Sequence, residues 1–173
     1  MNTFTQNILK GIAVGLIASF IKSLAEPPLQ KLGEKMFPPE PYKLSLRGAD
    51  VTGHPQNMPP AVLARQIYYD TTRKELSEED TLMAMNIIHY ALGTVIGVTY
   101  VLLANRNRRF QTGEGIAAGV AVWAFTHGST VPMLGLQAKV NEMPASWWVW
   151  EFGSHVVFGM AMEQNRKVLN AVF

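Results

Sequence analysis

Three of the four histidines in this chain interrupt long apolar runs. His89 lies in Thr81–Ala104, His127 in Gly113–Leu136 and His155 in Trp147–Met162. Glu151 stands one helical turn before His155, and Glu26 closes the first apolar run. An ionisable group in hydrocarbon is costly and ordinarily faces a bundle interior or a watery cavity, so each of the five is a candidate site residue. Neutral imidazole and carboxylate are ligands for zinc, iron or manganese, and three histidines with one or two glutamates from separate helices fill a coordination shell. Two histidines could instead hold a haem, the neighbouring glycines making room for the macrocycle. Without metal, the same groups would pass or sense protons, because histidine titrates near physiological pH.

Such a cluster needs helices to position it. The apolar runs predict four transmembrane helices at about 8–26, 81–104, 113–136 and 147–163 in one all-α membrane domain, with an external loop over 27–80. The proline pair Pro27-Pro28 is expected to stop the first helix, with Lys10 snorkelling to the interface. No convincing cleavage site follows that helix, so it reads as retained. Inside the loop, Ala61 to Tyr69 predicts a short amphipathic helix with Pro60 in its first turn. The other prolines predict extended structure, and His54, between Gly53 and Pro55, reads as a loop residue.

Orientation follows from charge. Arg106, Arg108 and Arg109 fill the link between the second and third helices, and Arg166 and Lys167 follow the fourth. The positive-inside rule puts that link and both termini in the cytoplasm, leaving Trp147, Trp148 and Trp150 as an aromatic anchor on the far side. Counted along antiparallel helices, His89 and His155 then lie about 12 Å and Glu151 about 6 Å below the outer boundary, with His127 about 10 Å short of it. Small residues agree on facing. Gly11, Gly15, Ser19, Lys22 and Glu26 share a stripe, as do His89, Gly93 and Gly97, then Gly115, Gly119, Trp123 and His127, and finally Glu151, His155 and Gly159. Such stripes let membrane helices approach closely, so the ionisable groups are expected to converge.

Three segments carry a family likeness: Lys22 to Leu29, Pro132 to Leu136, and Trp147 with Glu151-Phe152-Gly153-Ser154-His155. They resemble the YagU-like bacterial inner-membrane proteins, over the end of the first helix and from His89 to the C-terminus. The resemblance implies a multi-pass inner-membrane protein loosely associated with acid tolerance, and it supplies no active site.

The absence of cysteine excludes disulfides and thiolate metal sites, and a net charge of +2 offers nothing to nucleic acid. Gly113-Glu114-Gly115 is a turn rather than a phosphate loop. No nucleophile elbow or Walker pattern is present, so an enzyme is not expected. The chemical expectation is a divalent transition metal, zinc or iron, or proton handling on His89, His127, Glu151, His155 and Glu26. The alternative is an accessory subunit that docks on a larger membrane complex or self-associates, with the polar residues bracing helices in the bilayer.

Overall fold

A computed structural model describes residues 3–172, and among them there is no strand. The helices are α1 (Thr3–Met36), α2 (Pro41–Leu44), α3 (Pro59–Thr72), α4 (Glu78–Arg106), α5 (Ile116–Phe125), α6 (Val131–Met133), α7 (Ala145–Trp147) and α8 (Gly153–Val172). Two of them, α1 and α4, are long and apolar enough to cross a membrane by length and composition. The four crossings expected from the sequence therefore reduce to two that meet this criterion alone.

The first helix corrects the sequence reading. Pro27 and Pro28 lie inside α1, which runs on to Met36, so Glu26 is not its last residue. Proline removes an N–H and crowds the preceding turn, here at the cost of bonds to the Ser23 and Leu24 carbonyls. The residues beyond the prolines repay the insertion with distant contacts. Gln30 is buried, and Gly33 packs so closely on the 146–149 segment that a Cβ would stand 2.6 Å from the Ser146 carbonyl oxygen. Tertiary packing overrides the local breaker.

The later helices are also interrupted. Between α5 and α6, residues Thr126–Thr130 form a π turn, and Trp148–Phe152 form another between α7 and α8. The helical path is thus continuous over 116–133 and over 145–172, each with one widened turn. Gly113, Glu114 and Gly115 all adopt positive φ, which makes the expected turn before α5.

The chain divides into two compact units. The first comprises the chain up to 25, 90–123 and 152 onward. Its core is Val14, Ala18, Tyr100, Val101, Ala104, Phe158, Ala161 and Met162. The small-residue stripes are packed faces here. A Cβ on Gly11 would meet the Val98 backbone, and one on Gly15 or Gly97 the facing backbone of α4 or α1. Gly115 and Gly119 face the backbone of α8 at His155 and Gly159 in the same way. Beside this core lies a buried ionic network. Arg166 donates to both oxygens of Glu163, each at 2.7 Å, and Tyr100 Oη donates to Glu163 Oε2 at 2.6 Å. Arg166 also donates to Asn105 Oδ1 at 2.7 Å, and Lys167 pairs with Glu114.

The second unit comprises 26–89 and 124–151. The expected amphipathic helix is α3, with Pro59 and Pro60 in its first turn and Ala61, Val62 and Ala64 buried. The segment before it is not a plain extended link. Asp50 Oδ1 accepts from Gln30 Nε2 at 2.6 Å and from the backbone N–H groups of Thr52 and Gly53 at 3.1 and 2.7 Å. Asp50 Oδ2 faces His54 Nδ1 at 2.9 Å. Burial acts to raise the Asp50 pKa, but hydrogen bonds from Gln30, Gly53, His54 and Thr52 outweigh it and hold the carboxyl below its ordinary range.

The aromatic anchor is corrected as well. Trp147 and Trp150 are buried packing residues, and of the three tryptophans only Trp148 is exposed.

Candidate metal centre

Each side of the site starts from a π turn. His127 lies in Thr126–Thr130 and Glu151 in Trp148–Phe152. A π turn opens the helix by one residue and frees a carbonyl, and such turns recur at functional positions. In the first turn, Ser129 Oγ donates to the Ala124 and Phe125 carbonyls at 2.8 and 3.1 Å, so a side chain serves the loosened backbone.

His127 Nε2 stands 3.4 Å from Glu151 Oε1. Its other ring nitrogen, Nδ1, lies 2.6 Å from Gln137 Oε1, and Gln137 Nε2 donates to the His127 carbonyl oxygen at 3.3 Å. The amide has a single sensible orientation in this exchange: its N–H serves a carbonyl, so its oxygen accepts from the Nδ1–H. In the neutral ring the proton is then on Nδ1, and the Nε2 lone pair is turned towards the carboxylate. Two electron-rich atoms face one another, an arrangement that a cation or a shared proton between them stabilises. A buried amide that fixes the tautomer is the support a metal-ligating histidine ordinarily has.

Glu151 is buried, and the helix that carries it continues without a break to His155, one turn on and also buried. One ligand atom each from His127, Glu151 and His155 lies within 4.8 Å of the other two. Three of the five residues singled out in the sequence are thus brought together. His89 is half-buried on α4 and Glu26 is buried on α1, and neither belongs to this group. Gln137 was not foreseen. It sits in what reads as a polar link, and its partner lies across a turn with no helical period to announce it.

The glycines near His155 do not make room for a macrocycle. Gly119 and Gly159 are consumed by backbone contact, with the Cβ of an alanine at 119 only 3.0 Å from the His155 carbonyl carbon. The donor set suits a small ion rather than haem. Two imidazoles and one carboxylate is a set found at zinc and non-haem iron centres that keep coordination positions open.

A family described as "Protein of unknown function (DUF1440)" has a model that matches residues 16–164. The chain belongs to this family. The match takes in all five singled-out residues and also the 30–80 stretch, which the YagU-like resemblance left aside. No curated protein and no solved structure matches the chain.

Proposed function

We propose that the protein is a non-enzymatic, multi-pass protein of the bacterial inner membrane, YagU-like in kind, that holds a divalent zinc or iron ion on His127, Glu151 and His155. The observation that carries this reading is the approach of three ligand atoms to within 4.8 Å, with His127 oriented by Gln137. The membrane part rests on α1 and α4, whose outer faces expose Leu9, Leu16, Phe20, Ile87, Leu92 and Val95. Exposed apolar side chains at this density on long helices suit lipid. In the topology that goes with this reading, α5–α6 and α7–α8 form the third and fourth crossings, and Arg106, Arg108 and Arg109 face the cytoplasm. Three protein ligands leave room for water or an exchangeable group, so a bound or transiting ion fits equally.

The test is elemental analysis of the full chain purified in detergent, alone and after loading with zinc or ferrous iron. About one ion per chain is expected, falling to background in His127→Ala and in His155→Ala while both variants still insert. Wild-type protein that takes up neither metal above background refutes the metal reading. The 3.4 Å approach of His127 Nε2 to Glu151 favours one second reading, a proton shared between them. Under it the metal-free protein carries a pH-dependent signal that is lost in Glu151→Gln.

A further inference from the structure

A second chemistry lies within the unit formed by 26–89 and 124–151. A cavity of about 810 Å³ opens there, walled on three sides. One wall is Arg47 with the turn at Gly135. The Arg47 guanidinium donates to the Gly135 carbonyl oxygen at 3.0 Å, and the Ala138 N–H donates to the Arg47 carbonyl oxygen at 3.0 Å, so the two strands of chain hold one another. The second wall is a stripe of α3, with Arg65, Gln66 and Tyr69 at helical spacing. The third is the start of α4 and the residues just before it, with Glu75 and Glu78.

Two guanidinium groups and two carboxylates therefore share one cavity. Among the described residues, Arg65, Glu75 and Glu78 make no ion pair, although they line the same space. Opposite charges that line one cavity without pairing are complementary to a ligand that carries both signs. Arginine matches an oxo-anion by its planar fork, and carboxylates accept from a primary ammonium. The polar Gln66 and Tyr69 between them supply neutral hydrogen bonds.

We propose that this cavity binds a small zwitterion that pairs a phosphate or carboxylate with a primary ammonium. The anion sits at Arg47 and Arg65 and the ammonium at Glu75 and Glu78. That chemistry reaches a membrane protein from two sources, the headgroup of an aminophospholipid or a free solute. The proposal is independent of the metal reading, since it uses none of His127, Glu151 and His155.

The experiment uses the full chain. In detergent, calorimetric titration compares phosphoethanolamine with inorganic phosphate and with ethanolamine. In nanodiscs, native mass spectrometry compares retention of phosphatidylethanolamine and phosphatidylcholine, which differ in the ammonium. Phosphoethanolamine should bind saturably, and each half-ligand at least about tenfold more weakly. Arg65→Gln and Glu78→Gln should each lose about tenfold, with unchanged melting, and Arg65→Lys should recover most of the loss. Selective retention of phosphatidylethanolamine identifies the source as lipid, and binding of the soluble compound without such retention identifies it as solute. Phosphate binding as tightly as phosphoethanolamine, wild-type affinity in Glu78→Gln, or no binding in either arm would overturn the proposal.

Discussion

Gly33→Ala is the sharpest probe of how the fold sets the candidate metal centre. Gly33 lies in α1, beyond the proline pair, and a methyl group there would stand 2.6 Å from the Ser146 carbonyl oxygen and 3.0 Å from Val149 Cβ. Ordinary contact begins at 3.4 Å, so the 146–149 segment must retreat by about 0.8 Å, the difference between the two distances. Glu151 follows directly in the same helical stretch and moves with it. Metal bonds hold their length to about 0.2 Å, so a shift of this size takes the carboxylate out of reach. Two effects on stability oppose each other. Alanine is better than glycine inside a helix by about 1 kcal/mol, while overpacking costs about 1–3 kcal/mol. The clash is against backbone, which cannot swing aside, so we expect net destabilisation on the order of 1 kcal/mol and a fall in Tm of about 2–4 °C. Elemental analysis and a melting curve on the same sample read both quantities. Gly113→Ala is the control, because its φ of +63° makes alanine costly by about 1–2 kcal/mol while its nearest neighbour is 3.5 Å away. The control should therefore melt lower yet keep its metal. Gly33→Ala protein with wild-type metal content and an unchanged or higher Tm would refute the reasoning.

Other perturbations separate the remaining elements. Gln137→Leu removes the group that fixes the His127 tautomer and should weaken metal affinity about 10–100-fold, read by competition with a chelator, without abolishing it. Arg166→Ala leaves the fully buried Glu163 carboxylate without its bidentate partner and should cost about 3–5 kcal/mol in denaturant unfolding, whereas Tyr100→Phe should cost about 1.5–3 kcal/mol. The Asp50 carboxyl is held below its ordinary pKa, so its contribution is complete above the unfolded value and is lost as pH falls through the folded one. Tm measured from neutral pH into acid should thus drop in the wild type, and Asp50→Asn should be less stable at neutral pH with a flatter acid limb. Because the chain has no cysteine, single cysteines at Asn107 and Gln56 can be labelled without background, and the four-crossing topology expects them on opposite faces of the membrane.

The parts of the fold legible in the sequence are those that depend on a regular period. Gly11 and Gly15 against α4, and Gly115 and Gly119 against α8, follow from small residues every fourth position, and α3 follows from its prolines and apolar stripe. The meeting of Glu151 with His155 is likewise one helical turn. What escaped has non-local causes. Nothing near Pro27 and Pro28 announces that the helix continues, since the compensating contacts of Gln30 and Gly33 come from residues far along the chain. A constant period of 3.6 residues also cannot anticipate the two π turns. Facing inferred across 126–130 or 148–152 therefore drifts.

The widened turns make the candidate centre sensitive to chain length in an unusual way. Removing one residue from 126–130 would let that stretch close into an ordinary α-helix while everything after it kept nearly its heading, because the wide turn takes up one extra residue in the same rotation. Deleting a residue after His127 would keep both it and the link bearing Gln137 in place, whereas deleting Thr126 would turn His127 by about 100°. The same deletion in 148–152 would preserve the spacing of Glu151 and His155 only if it fell ahead of both. Each turn behaves as slack for one residue, so among single-codon deletions walked across these ten positions those that spare the ligands and their spacing should keep the metal, and the others should lose it while the helices survive.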